Sequence, residues 1–247
     1  MTGTRDASLL RRAAEILKDN PTHTLDLAQA VLGLSGHPGA ASAAVFQLLG
    51  ADPRFLVDGE GMWTLDPTLA PLGVSLGEVS FAVVDVETTG GRAWDGSRIT
   101  EIAIVEVCGG TIVDEYQTLV NPAMGIPAMI TSLTGITGAM VSGAPYFEHI
   151  GEEITRRLEG RVFVAHNATF DWNFVSAELV RANLDVPTVP KLCTVRMVRR
   201  LVSTLRHRNL DVVTRHFGIE IDGRHRAYGD AFATARVLLR LLDEAAG

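Results

Sequence analysis

Cysteine is almost missing from the chain. Among 247 residues only Cys108 and Cys193 occur, with no metal-type spacing between them. A disulfide scaffold and a cysteine-ligated zinc site are thereby excluded, and a reduced, cytoplasmic protein is the simplest expectation. Long apolar runs are missing too. None approaches a membrane span, and the N-terminus has no signal-peptide pattern. Aromatic residues make up only 6%. Positive charge is scarce, with a formal net charge of −7. Such a protein does not coat nucleic acid indiscriminately, so any contact with it must be local. Internal repeats and low-complexity tracts are absent as well. What is present is a 47% apolar content, enough for a real core, and a length that suits one large or two small domains.

The first 65 residues are patterned as a small unit of their own. Apolar spacing predicts helices over 9–17, 25–32 and 39–49, the last ended by Gly50. Phe55, Leu56 and Val57, the turn residues Asp58 to Gly61, and Met62 to Leu65 then read as a hairpin. Three helices and a hairpin resemble a winged helix, a small α+β domain that often binds DNA. The charge argues otherwise. The third helix carries no Lys or Arg, and residues 1–75 hold 5 basic against 8 acidic side chains, a net −3. Binding to the phosphate backbone needs cations that this surface lacks, so docking of a protein partner is the favoured role. Residues 66–78, with Pro67, Pro71, Gly73 and Gly77, read as a linker.

From residue 79 the period changes. Strands are expected over 79–86, 99–107 and 111–120, the last two joined at Gly109 and Gly110. Helices over 126–133, 145–158, 170–182, 194–202, 210–217 and 227–242 follow, with strands over 161–165 and 188–192 among them. Antiparallel strands followed by strand–helix alternation predict an α/β fold with a mixed sheet over 79–247.

Within the first of these strands, Phe81-Ala-Val-Val-Asp85-Val-Glu87-Thr-Thr-Gly90, an apolar run ends in two carboxylates two residues apart. Both point to one face of the strand. Two adjacent carboxylates repel, and a hard divalent cation such as Mg²⁺ or Mn²⁺ resolves the conflict. Alone, Asp-x-Glu is common and reads more simply as a solvated strand end. A second stretch, His166-Asn167-Ala-Thr-Phe170-Asp171, closes another apolar strand and puts Asp171 in the first turn of a helix. Its plain reading is a helix-start acid beside a core histidine. A third, His225-Arg-Ala-Tyr-Gly-Asp230, has Asp230 opening the last helix and His225 on the loop before it, where a histidine suits general base work.

Singly weak, the three stretches in this order resemble the motifs of the DEDDh 3′–5′ exonucleases. The nearest likeness is to the proofreading epsilon subunit of bacterial DNA polymerase III. It extends to Leu133-Thr-Gly-Ile-Thr137 and Cys193-Thr-Val-Arg196 and covers about residues 79–243. His225 stands five residues before Asp230, and Arg226 holds the place where the sister DEDDy group has Tyr, which assigns the h-type. The resemblance implies a ribonuclease H-like fold with a mixed five-stranded sheet, and hydrolysis of 3′ ends to 5′-mononucleotides with two divalent ions, Mg²⁺ or Mn²⁺. It implies Asp85, Glu87, Asp171 and Asp230 as metal ligands and His225 as the base. Thr88 would meet the terminal 3′-OH, Gly90 would let the backbone come close, and Thr134, Asn167 and Phe170 would line the nucleotide pocket. The epsilon likeness has His where Thr134 stands, which favours a stand-alone or fused relative over the polymerase's own proofreader.

Between Asp185 and Asp211 there is no acid, whereas Lys191, Arg196, Arg199, Arg200, Arg206 and Arg208 all occur. Arg196, Arg199, Arg200 and Arg206 are candidates for a phosphate track. The expectation is therefore a metal-dependent DNA exonuclease for proofreading or repair, single strands foremost, with a polymerase or repair partner on the N-terminal unit and no membrane. An exoribonuclease using the same site and a non-catalytic scaffold are the rival readings.

Overall fold

The computed structural model describes residues 3–50, 52, 54–66 and 79–246. The chain divides into two compact units, residues 1–75 and 76–247. Residues 67–78, nearly all of the expected linker, lie outside the described residues.

The first unit runs α1 (Gly3–Asp19), β1 (Thr22–His23), α2 (Thr24–Leu32), α3 (Pro38–Leu49), β2 (Phe55–Val57) and β3 (Met62–Leu65). The strands form an antiparallel sheet in the order β1-β3-β2. Strand β1 has two residues, too short for any alternation to announce it. Ala13, Leu17, Leu27, Val45 and Leu49 pack around a fully buried Trp63. The Trp63 indole N–H would be costly to bury unpaired. It donates to Thr24 Oγ1 at 3.0 Å, and that hydroxyl donates to the Gly61 carbonyl at 2.8 Å.

The second unit comprises β4 (Phe81–Thr88), a 3₁₀ turn (Ala93–Asp95), β5 (Ile99–Cys108), β6 (Thr111–Leu119), α4 (Ala128–Thr134), α5 (Gly138–Val141) and α6 (Phe147–Leu158). It continues with β7 (Val162–Ala165), α7 (Ala168–Arg181), β8 (Lys191–Cys193), α8 (Thr194–Leu201), α9 (Leu210–His216) and α10 (Ala227–Ala246). The sheet has five strands in the order β6-β5-β4-β7-β8. The β4–β5 and β5–β6 pairs are antiparallel, whereas β4–β7 and β7–β8 are parallel. This is the mixed sheet flanked by helices that the sequence pattern implied.

Alternation along the central strand sorts the core. Ala82, Val84 and Val86 join the cluster under α6 and α7, while Phe81 and Val83 join the cluster with Ala227, Ala231 and Ala235 of α10. Asp85 and Glu87 share the parity of Phe81 and Val83, so they fall on the α10 face.

Some boundaries moved for physical reasons. β4 continues through Thr88 because β5 keeps pairing with it across a register shift between Glu87 and Thr88. The last strand starts at Lys191 rather than 188, since Pro190 cannot donate to a ladder and offers only its carbonyl, to the Phe163 N–H at 2.9 Å. Helix α5 has only four residues, too few for a period.

Candidate active site

The carboxylates meet where the parallel strands end. Asp85 and Glu87 come from β4, and Asp230 comes from the first turn of α10, with one carboxylate oxygen of each lying within 4.8 Å of the others. Asp171, from the first turn of α7, is 3% exposed and stands beside Asp85 and Glu87 without joining the converging oxygens.

Burial and mutual repulsion raise the proton affinity of every member. Asp85 is pushed well up, first by burial and then by Asp171, Asp230 and Glu87. Glu87 is raised to about 7 by burial, Asp230 and Glu101. Asp171 is raised to about 8, mainly by burial. Asp230 is raised by burial and held back by Arg224 and by the His225 backbone N–H. One Asp230 oxygen, Oδ1, is buried with no hydrogen-bond partner. A hard divalent cation on Asp85, Glu87 and Asp230 would partner that oxygen and lift the repulsion, so the residues present fit Mg²⁺ or Mn²⁺.

Arg224 also reaches this cluster, and sequence reasoning passed over it. Its Nε donates to Asp211 Oδ1 at 2.8 Å, and its Nη1 donates to Asp230. Asp211 opens α9, outside the three motifs, so only the tertiary fold shows the link. His225 holds a left-handed backbone with φ of +61°. A loop histidine can move in and out, but this loop is packed down. A Cβ on Gly229 would lie 2.0 Å from the Asp222 carbonyl oxygen and 2.5 Å from that of Gly223, so only glycine lets the loop press on α10.

The other expected residues divide. The Thr88 hydroxyl donates to the Gly90 carbonyl at 2.7 Å, closing the turn after β4. A Cβ on Gly90 would lie 2.7 Å from Ser97 Oγ, so the neighbour crowding that glycine is Ser97. Phe170 lines a cleft with Gly91, Arg92 and an exposed Trp94, and its ring lies 4.9 Å from that of Phe174. Asn167 is exposed and caps α7 in a left-handed conformation, φ +82°. Thr134 is buried, and its hydroxyl is engaged with the Ile130 carbonyl at 3.0 Å and the Ile136 N–H at 3.1 Å. His166 is a structural pin. Its Nε2 donates to the Arg208 carbonyl at 2.8 Å, which leaves Nδ1 to accept from Thr194 Oγ1 at 2.9 Å, and burial lowers its proton affinity.

Arg196, Arg199 and Arg200 of α8 and Arg206 after it are all exposed, and none makes an ion pair among the described residues. Lys191 lies apart, 4.3 Å over the Trp172 ring. Among the described residues no helix is long and apolar enough to cross a membrane.

Comparison with known proteins shows the family of the chain. The model of the exonuclease family RNase_T matches residues 82–238. The chain is 37% identical over 164 residues to the 3′-5′ exonuclease DinG of Bacillus subtilis, covering 66% of this chain and 18% of that protein. It is 40% identical over 173 residues to the DNA polymerase III subunit epsilon-like protein of Rhodobacter capsulatus, covering 68% of this chain and 24% of that protein. The matches thus span about a quarter or less of these two relatives. Among solved structures, Exonuclease X in complex with 5′ overhanging duplex DNA superposes with a TM-score of 0.57 at 26% identity, over 68% of this chain and 93% of that one. The nuclease domain of 3′hExo, a DEDDh family member bound to rAMP, gives a TM-score of 0.59 at 20% identity, over 68% and 93%. The latter likeness is one of fold.

Proposed function

Because the chain belongs to the RNase_T exonuclease family, we propose that it is a two-metal 3′–5′ DNA exonuclease, acting mainly on single-stranded 3′ ends and releasing 5′-mononucleotides in proofreading or repair. One observation carries the reading. One carboxylate oxygen each of Asp85, Glu87 and Asp230 lie within 4.8 Å of one another, and Asp230 Oδ1 is buried without a hydrogen-bond partner, in a chain that belongs to an exonuclease family. That set suits a cation and suits little else, whereas a scaffold gains nothing from repelling charges.

Asp85, Glu87 and Asp230 would hold one divalent ion, and Asp85 with Asp171 a second. When bound, the pair supplies Lewis-acid stabilisation of the attacking and leaving oxygens. His225 would accept a proton from the attacking water. The water oxygen then bonds to phosphorus, the bond from phosphorus to the 3′-oxygen breaks, and that oxygen takes a proton from solvent and leaves as the 3′-OH of the shortened strand. Glu87 and the Thr88 backbone would meet the terminal 3′-OH, with Asn167 and Phe170 beside the nucleotide. Gly90 keeps that turn narrow. Arg196, Arg199, Arg200 and Arg206 would follow the phosphates upstream. The first unit would dock a polymerase or repair protein, consistent with the lack of cations on α3. The cysteines Cys108 and Cys193 are free, which suits a reducing cytoplasm.

The same site could act on RNA ends, since the carboxylate motifs do not read the sugar. Matched DNA and RNA oligonucleotides, labelled at either end and incubated with Mg²⁺, Mn²⁺ or EDTA, test both. We expect stepwise loss from the 3′ end of DNA that stops with EDTA. Degradation by EDTA-treated protein, or faster loss of RNA, would overturn the respective part. His225→Ala should lower kcat by roughly 10²- to 10⁴-fold.

A further inference from the structure

Glu101 is a charged residue near the start of a buried strand. It is 3% exposed, lies on β5 directly opposite Glu87, and shares none of the metal-ligand motifs. A carboxylate buried there without partners would be costly. Its partners come from 125 residues away. The Arg226 guanidinium donates to it through Nε at 3.0 Å and through Nη2, and the Ala227 backbone N–H donates to Oε2 at 2.9 Å. Ala227 is the first residue of α10, so the carboxylate satisfies one of the unpaired N–H groups of that helix end.

These two anchor residues directly follow His225. A non-glycine residue with a left-handed backbone costs free energy and persists only where its surroundings over-determine it. Here the surroundings are identifiable. Behind His225, Glu101 holds Arg226 and Ala227. In front of it, residues 222 and 223 press on Gly229. Beside it, Arg224 Nη1 lies 3.4 Å from His225 Nδ1 and also donates to Asp230. The histidine is fixed from the central sheet as well as by its own loop.

We infer that Glu101 is a positioning residue for the exonuclease reaction: through Arg226 and the Ala227 N–H it locks the His225 loop onto the edge of the metal site, so that the imidazole waits in its working place. The inference rests on the proposed role of His225. By contrast Glu106, also buried on β5, pairs with Arg157 and Arg161 towards the far end of the strand and would serve the fold alone.

The test is Glu101→Gln in the full chain, with Arg226→Gln as the second variant should the first fail to fold by circular dichroism. Gln keeps the shape and can still accept one N–H, but loses the charge that grips Arg226. Because misplacing a reacting group by about 1 Å costs up to roughly a hundredfold, we expect kcat to fall about ten- to hundredfold. The KM for a single-stranded oligonucleotide and the Mn²⁺ affinity by calorimetry should stay within about twofold, and the loss should vanish in a His225→Ala background, since residues acting as a unit are not additive. Hydrogen exchange in residues 222–230 should rise in the variant. A kcat within about threefold of wild type while His225→Ala is crippled, an equal further loss in the His225→Ala background, or unchanged exchange in residues 222–230 would each overturn the clamp. Full activity of His225→Ala itself would sink the assignment of the base instead, and the exchange measurement would then decide the clamp alone.

Discussion

Arg98 grips Glu178 across 80 residues of chain, its Nε lying 2.8 and 3.0 Å from the two carboxylate oxygens. Glu178 also accepts the Ile99 N–H at 3.1 Å, and the Arg98 backbone exchanges hydrogen bonds with Thr89: its N–H donates to Thr89 Oγ1 at 3.0 Å and its carbonyl accepts the Thr89 N–H at 2.9 Å. Helix α7 is thereby tied to the turn that carries Thr88, Thr89 and Gly90. The pair is nearly dry, with Glu178 side-chain exposure of 1%. Removing one partner of a buried pair typically costs about 3–5 kcal/mol, because the other charge is stranded. Glu178→Ala should therefore destabilise the chain by that order in urea titration, and Glu178→Gln, which still accepts from Ile99, by less. A loss below about 1 kcal/mol would place the pair with exposed ion pairs instead.

The carboxylate cluster predicts how stability follows pH. Glu87 is raised to about 7 and Asp171 to about 8, so the folded chain holds protons that the unfolded chain releases. A raised folded value gives stability that is complete below the unfolded value and is lost as pH climbs through the folded one. The Tm of metal-free protein should thus decline from about pH 5 to about pH 9, and Mn²⁺ should raise it most at the alkaline end. Binding should release protons, and more of them near neutrality than at high pH. Asp85→Asn should abolish nuclease activity yet raise the metal-free Tm, by removing one repelling charge from the cluster. A Tm that rises with pH in the absence of metal would show that these acids are ionised and settled without a cation.

The first-turn glycine of α10 offers a sharper probe of the same site. A Cβ at Gly229 would fall on backbone oxygens of Asp222 and Gly223, and backbone cannot step aside as a flexible side chain does. Gly229→Ala should push the loop outward and take His225 with it. Since helix propensity favours Ala by about 1 kcal/mol, a stability loss despite that gain would isolate the clash. We expect kcat to fall roughly tenfold or more with metal affinity kept. Normal turnover in this variant would mean the loop relaxes without moving the base.

Much of this was legible in the sequence because local rules carried it. The parity of Asp85 and Glu87 along β4 put both on one face and local signals put Asp171 and Asp230 in the first turns of helices, but it was the order of the three stretches, through a family resemblance, that joined the four as one set. Glu101 should have raised the same question as Asp85, being a charge inside an apolar strand, but its partners lie 125 residues on and no local rule points to them. Arg224 and Asp211 are hidden for the same reason. His166 reads as a core histidine, and its ring is hydrogen-bonded between Thr194 and Arg208, partners that its spacing does not reveal. The Thr134 hydroxyl is engaged within its own helix end, a use that spacing alone does not reveal.

The basic segment makes the last prediction. Arg196, Arg199 and Arg200 fall at i, i+3 and i+4 on α8, so they share a face, and Arg206 follows on the loop. All four are exposed, and none makes an ion pair among the described residues. In a chain of net charge −7, a run of unneutralised cations concentrates the attraction for phosphate in one place. Each phosphate contact to a single strand contributes about 0.7 to the slope of log affinity against log salt. Replacing Arg199, Arg200 and Arg206 with Gln should therefore flatten that slope by up to about 2 and weaken binding alike for all sequences. Turnover at saturating oligonucleotide should hold, because none of the three touches the carboxylates. A slope equal to that of the wild type would make these arginines an ordinary solvated face and move the phosphate path elsewhere on the unit.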